Sequence, residues 1–304
     1  MSRSTDEASA GPVVIIGNFD GVHRGHVELI RTARAAEPGA RVVAVTFWPH
    51  PMSVVRPDQA PPLLTGLARR KELLRAAGVD EVVVVDFTPE VASWSPEEFV
   101  ERTLRPLHPS RVVVGQNFRF GFRAAGDVAT LTELAQGSWK VQALALLTDG
   151  SHPSSSTLIR AAVAEGDFGR VRELSDQVFR IQGLVVRGDQ RGREMGYPTA
   201  NVAVQPGMAL PADGVYAGWV TRLDVPSPRW PAAISVGTNP TFDGLERRVE
   251  AYVLDRTDLE LYGVEIAVDF YARMRGQVKY EGMQSLVKQM KRDVEEIRDV
   301  LSNR

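Results

Sequence analysis

Val13-Val14-Ile15-Ile16-Gly17-Asn18-Phe19-Asp20-Gly21-Val22-His23-Arg24-Gly25-His26 decides the fold of the first half of the chain. Four apolar residues in a row are what a strand buried on both faces requires. Gly17 ends the run, and the later glycines let the backbone turn sharply and approach a ligand closely. The chain then enters a helical stretch, His26 to Ala36. Free N–H groups at such a helix start favour an anion. His23 and His26 are three apart, so both are expected on one face of the first helical turn. Two imidazoles there can donate hydrogen bonds to a triphosphate, where donors count most as charge builds on the phosphorus under in-line attack. Without that chemistry, the stretch is a Gly-rich turn with two solvated histidines.

Outward from this unit, strands and helices alternate. Arg41 to Phe47, Glu81 to Phe87, Arg111 to Gly115 and Val141 to Leu147 are further short apolar runs. Helical stretches at Leu67 to Ala77 and Pro96 to Leu104 lie between them. The order predicts a doubly wound parallel sheet, with ligands at the carboxyl ends of its strands. Helices over Ser156 to Gly166 and Phe168 to Leu174 link this sheet to the second half of the chain. From Arg180 the pattern changes. Arg180 to Val186, Gly214 to Thr221, Ala232 to Gly237, Arg248 to Leu254 and Glu265 to Met274 read as strands separated by Gly and Pro clusters, which predicts a small antiparallel β-barrel. Leu286, Met290, Val294, Ile297 and Leu301 recur at helical spacing and predict a terminal amphipathic helix over Met283 to Leu301. The expected domains are 12–174 and 175–304.

The 304 residues suit two ordinary domains, and 43% hydrophobic with 24% charged residues is ordinary globular composition. A net charge of −2 gives no global basic field, so no nucleic-acid partner is expected. No apolar run is long enough to cross a bilayer. Residues 1–11 have no apolar core and read as a tail rather than a signal peptide. The chain has no cysteine, which excludes disulfides, thiolate metal sites and a Cys nucleophile, and fits a cytoplasmic location. A monomer or weak homo-oligomer is expected, with small-molecule substrates as partners.

Three other stretches carry chemistry. Ser155-Ser156-Thr157-Leu158-Ile159-Arg160 opens a helix with hydroxyls that can cap it or donate to phosphate, and Arg160 can clamp phosphate oxygens. Read alone, it is a helix cap with a surface Arg. Gly188 to Asn201 (GDQRGREMGYPTAN) is Gly-rich and basic but leads to no helix, so it is neither a P-loop nor a dinucleotide fingerprint. Its glycines can wrap a polyphosphate, and Thr199 and Asn201 are hard oxygen donors suited to magnesium. Glu250, in Val249 to Asp255 (VEAYVLD), has apolar neighbours at alternate positions, as on a strand. A carboxylate held there can take a proton from an attacking alcohol; an exposed Glu on an edge strand is the plainer reading.

GNFDGVHRGH, TFWPHP, VVVGQNFRFGFRAAGDV and SSTLIR, in that order, resemble the adenylyltransferase module of bacterial bifunctional riboflavin kinase/FAD synthetases. GDQRGREMGYPTANV, ADGVYAGWV, SVGTNPTF, VEAYVLD and LYG are similar to the riboflavin kinase module of the same family. The resemblance implies phosphorylation of riboflavin to FMN by ATP, then AMP transfer to FMN to give FAD and pyrophosphate, with Mg²⁺. It implies that His23, His26 and Arg160 are catalytic in the first half. Gly17, Phe19, Asp20, Gly25, Ser156 and Thr157 are implied in ATP binding there. Pro49, His50, Pro51 and Asn117 are implied at the flavin. In the second half it implies Glu250 as general base, Thr199 and Asn201 as metal ligands, Gly188, Arg193 and Gly196 at the ATP phosphates, and Arg275 at the flavin. Three positions and one segment depart from the family: Trp48 stands where an acidic residue is usual, Tyr252 where His is common and Gln277 where Glu often occurs, and Ser175 to Phe179 lacks the usual Leu-Gly-Arg-Pro-Tyr character. A paralogue with one active module or a shifted flavin substrate, and a flavin-binding sensor, are the alternative readings.

Overall fold

Alternation along β1 (Val13–Ile16) sends successive side chains to opposite faces of a sheet, and each face has its own core. Val13 and Ile15 pack with Leu29, Ile30, Leu73 and Leu74. Val14 and Ile16 pack with Phe99, Leu104, Leu131 and Trp139. The computed structural model describes residues 11–302 apart from 146–147, 150–151, 154, 189–195, 242–243, 279 and 281. The tail expected at the N-terminus lies, but for Gly11, outside these residues.

Two compact units divide the chain, 1–61 with 66–156 and 62–65 with 157–304. In the first, β1 is followed by α1 (Arg24–Ala36), β2 (Val42–Trp48), α2 (Pro51–Val55), α3 (Leu67–Ala76) and β3 (Glu81–Asp86). Then come α4 (Pro89–Ala92), α5 (Pro96–Phe99), β4 (Arg111–Gly115), α6 (Val128–Ala135) and β5 (Lys140–Leu144). The five strands are parallel in the order β3-β2-β1-β4-β5. The chain first runs outward from β1 to β3 and then returns to β1's other side as β4. The carboxyl ends of β1 and β4 therefore flank a topological switch point, where open α/β sheets bind ligands. Short strands β6 (Thr148–Asp149) and β7 (His152–Pro153) pair antiparallel.

α7 (Ser156–Glu165) and α8 (Phe168–Ser175) lead into the barrel strands β8 (Phe179–Val186), β9 (Ala200–Val204), β10 (Gly214–Arg222), β11 (Trp230–Thr241), β12 (Gly244–Val253) and β13 (Glu265–Arg275). These close antiparallel in the order β10-β11-β12-β9-β8-β13, which leaves no free sheet edge. Ile181, Val202, Ile234, Val249, Ala251, Val268 and Phe270 fill the interior, and Phe168, Val171 and Leu174 of α8 join the same core. The terminal helix α9 (Met283–Ser302) packs Ile297 and Leu301 on Val215 and Ala217, outside the barrel.

The expected elements are present, with shifts at several of their ends and some further elements. α1 begins at Arg24, two residues earlier than expected, so His23 is its N-cap and not part of its first turn. The strand at Val141 to Leu147 is Lys140–Leu144, and its last expected residues, 146–147, lie outside the described ones. β9 has no counterpart among the expected strands, because Pro198 and polar Thr199 and Asn201 mask an alternation that buries Ala200 and Val202. The sequence boundary at 174/175 also differs from the division of the compact units, which falls after Ser156 and groups α7 and α8 with the barrel.

Arg275 and Asp293 tie β13 to α9. The guanidinium donates from Nε (2.9 Å) and Nη2 (2.6 Å) to the carboxylate, and Gln289 adds a third donor at 2.8 Å. Asp293→Ala leaves a half-buried guanidinium without this partner. A loss of about 1–3 kcal/mol is expected, read as an earlier unfolding transition in urea.

Candidate active sites

The turn after β1 is locally strained. Phe19, Gly21 and Val22 have φ of 50°, 83° and 37°. For Phe and Val such angles persist only where the surroundings impose them. Phe19 and Val22 are fully buried in the core under α1. A Cβ at Gly17 would meet the Phe19 ring at 3.3 Å. Below the turn, the Asp20 carboxylate lies 3.4 Å from Arg70, both out of solvent. Thr46 Oγ1 donates to the Asn18 carbonyl at 3.1 Å, and Ser156 Oγ to the Asp20 carbonyl at 2.8 Å.

His23 and His26 occupy the N-cap and third positions of α1, which face each other across the first turn. Their rings stack with centroids 3.7 Å apart, and the Phe19 ring meets His26 edge-on at 5.1 Å. His26 Nδ1 is buried without a hydrogen-bond partner among the described residues. Its pKa is held well below the ordinary 6.5, first by burial and then by the neighbouring His23 and the Arg70 guanidinium. His26 is therefore a neutral imidazole at neutral pH. Because the folded value lies below the unfolded one, the unfolded chain takes up this proton first as pH falls. Stability from His26 is thus complete above about pH 6.5 and is lost as pH drops towards the lowered value. An NMR titration is expected to find the His26 ring still neutral well below about pH 6.5; a midpoint there would contradict its burial.

Around the same strand ends, His50 caps α2: its Nδ1 accepts from the Met52 amide at 3.2 Å, and its Nε2 lies 3.4 Å from the Asn18 carboxamide. Pro49 follows Trp48 through a cis peptide bond, and Pro51 opens α2. Asn117 stands exposed just past β4, its Oδ1 3.0 Å from where a Cβ on Gly115 would lie. Gly25 is the second residue of α1. Thr157 and Arg160 follow Ser156 on α7 but group with the second unit, where Arg160 Nε donates to the Pro62 carbonyl at 2.6 Å.

In the barrel, Val249, Ala251 and Val253 point inward and are buried, which turns Glu250 and Tyr252 to the outer face. Asn201 on β9 is the register partner of Glu250, and Thr199 Oγ1 donates to Glu250 Oε2 at 3.3 Å. Residues far apart in sequence thus meet because β9 pairs with β12. A Cβ on Gly188 would sit 2.4 Å from the Asn201 side chain, so a larger residue there would displace the Asn201 carboxamide. Gly196 (φ 83°) is exposed and starts the turn into Pro198. A cavity of about 270 Å³ opens beside these groups, lined by Gly188, Thr199, Asn201, Leu259, Leu261 and Tyr262 among others. Gln277 Nε2 donates to Ser235 Oγ and the Val236 carbonyl, both at 3.1 Å. Ser235 is the neighbour of Glu250 on its other side. Tyr252 meets Tyr197 edge-on at 5.2 Å. Arg193 lies outside the described residues, and Arg275, expected at the flavin, is taken up by Asp293.

Oxygen- and nitrogen-rich side chains therefore gather in each unit, at a strand-to-helix turn of the first and on a barrel wall of the second. Residues 5–158 match the protein family described as FAD synthetase, and residues 175–301 match the riboflavin kinase family. This chain belongs to the bifunctional riboflavin kinase/FMN adenylyltransferases. It is 34% identical over 302 residues to the bifunctional riboflavin kinase/FMN adenylyltransferase of Listeria monocytogenes, covering 97% of this chain and 94% of that protein. It is 32% identical over 305 residues to the enzyme of that name from Bacillus subtilis, covering 98% and 95%. A crystal structure described as a macrolide-efflux protein from Streptococcus pneumoniae superposes with a TM-score of 0.84 at 32% identity, over 95% of this chain and 94% of that one. The parallel sheet, the closed barrel and the terminal helix are as the sequence predicted. No helix among the described residues is long and apolar enough to cross a membrane.

Proposed function

We propose that the barrel of this bifunctional enzyme phosphorylates riboflavin at Glu250 and that the parallel-sheet unit adenylylates the product at His23 and His26. The observation that carries this reading is the convergence of Thr199, Asn201 and Glu250 on one outer face of the barrel. Glu250 accepts the proton of the ribityl 5′-hydroxyl as its oxygen attacks the γ-phosphorus of ATP, and the bond to the ADP oxygen breaks. Thr199 orients the carboxylate by its hydrogen bond.

The donor set fits magnesium. No group of three or more His, Cys, Asp or Glu that could hold a metal occurs among the described residues. Thr199 and Asn201 instead offer neutral oxygens, and magnesium is commonly held by few protein ligands with phosphate and water completing its shell. When bound, the ion neutralises charge on the phosphates. Gly188 keeps the approach to Asn201 open, and Gly196, with Arg193, is assigned to the phosphates on the motif.

In the first unit, an oxygen of the FMN phosphate attacks the α-phosphorus of ATP, and the bond to pyrophosphate breaks. No protein nucleophile is needed. The buried, orphaned Nδ1 of half-buried His26 supports a ligand-facing role, since buried polar atoms are normally paired. His23 and His26 donate to oxygens that gain charge in the transition state. Gly17, Phe19, Asp20 and Gly25 shape the turn, and Ser156 braces it through the Asp20 carbonyl. Thr157 and Arg160 are assigned to the ATP phosphates on the motif alone. Pro49, His50, Pro51 and Asn117, near the ends of β2 and β4, are assigned to the flavin.

Incubation with riboflavin, ATP and Mg²⁺ is expected to yield FMN and then FAD by chromatography, and chelation of the metal to stop FMN formation. Absence of both products would overturn the reading.

A further inference from the structure

Arg70 belongs to none of the motifs, yet its side chain is fully buried. It projects from α3 and joins three elements. Its Nη2 lies 3.4 Å from Asp20 Oδ1, and its Nη1 donates to the Phe47 carbonyl of β2 at 3.4 Å. Its guanidinium carbon is 5.5 Å from the centre of the Trp48 ring. A buried ion pair is a poor device for stability alone, because an apolar pair of similar volume often serves as well. A charged pair with planar, directional donors fixes geometry instead.

The geometry that needs fixing is next to it. Asp20 sits inside the run of left-handed residues Phe19, Gly21 and Val22, and this run leads directly into the N-cap His23. Both ends of Asp20 are held: the carboxylate faces Arg70 and the carbonyl accepts from Ser156. Phe19, on its other side, carries the ring that meets His26.

We propose that Arg70 is a positioning residue for adenylyl transfer: by holding Asp20 it sets the strained turn that presents His23 and His26. The inference rests on the adenylyl-transfer reading of this unit. Arg70 touches no reacting atom and acts through Asp20. Small misplacements of reacting groups cost up to about a hundredfold in rate, so the effect falls on kcat while ATP still binds.

The test is FMN-to-FAD conversion by the full chain carrying Arg70→Met or Arg70→Lys, with near-UV circular dichroism to check folding. Arg70→Met is expected to lower kcat by about thirty- to a hundredfold with KM for ATP changed less than about threefold. Arg70→Lys, which keeps the charge on Asp20, is expected to recover kcat to within about fivefold of the wild type. A folded Arg70→Met protein with wild-type kcat overturns the proposal. So does loss of fold and activity by both variants alike, which is what a merely structural role gives. If the wild-type protein makes no FAD from FMN, the adenylyl-transfer reading falls and takes this one with it. If it makes FAD only as fast as Arg70→Met does, the role of Arg70 alone falls.

Discussion

Riboflavin phosphorylation by the Glu250→Gln variant is expected to fall by about a hundred- to ten-thousandfold, the range a general base contributes. The substitution keeps the shape of the side chain and its place on β12, between Asn201 and Ser235. The amide can still accept from Thr199, but it cannot take a proton at neutral pH. The loss therefore belongs in kcat rather than in KM for either substrate. FMN-to-FAD conversion by the same protein should stay within about twofold of the wild type, because Glu250 belongs to the barrel unit. Product formation from riboflavin and from FMN, measured separately by chromatography, checks both statements. An equal fall in the two reactions would contradict separate sites.

The mirror-image result is expected for His26→Ala. Removing one donor to a developing oxyanion commonly costs about a hundred- to a thousandfold in kcat, so AMP transfer to FMN should fall by that much. Here the ring also packs on His23 and against Phe19, so its removal loosens the turn as well. His26→Gln, which retains an N–H donor, should fall less than His26→Ala. Riboflavin phosphorylation is expected to be unchanged in both. Continued AMP transfer by His26→Ala at the wild-type rate would remove this residue from the chemistry.

Much of the fold can be read from local pattern. β1 and β4 are short apolar runs bounded by turns, and they lie where the sequence places them. α9 follows the spacing of its apolar residues. β9 is hidden because its informative residues are few and a proline precedes them. Without β9, Thr199 and Asn201 read as loop residues, although their meeting with Glu250 depends on that strand pairing with β12. Pairing between distant strands leaves no local signal, and so their contact could be expected only from the resemblance.

The sites show the same division. The Gly-rich turn and the two histidines stand together in sequence, and their stacking follows from N-cap and third-position geometry once α1 is seen to begin at Arg24. Arg70 could not have been singled out. It lies fifty positions from Asp20, on a helix whose other arginines, Arg69 and Arg75, are half-buried and exposed. A buried charge betrays itself in sequence only through a partner, and the partner here is distant. Arg275, which the resemblance implies at the flavin, also has a partner that local pattern does not show: Asp293, eighteen positions on, binds its guanidinium.

The separation of the two chemistries can be measured directly by mixing. Glu250→Gln alone has little FMN to adenylylate, and His26→Ala alone stops at FMN. Supplied together with riboflavin, ATP and Mg²⁺, the two proteins are expected to make FAD, because FMN released by one is taken up by the other. FAD from the mixture, with little from either protein alone, is the predicted result. A mixture that accumulates FMN without FAD, or either variant making FAD from riboflavin at the wild-type rate, would contradict it.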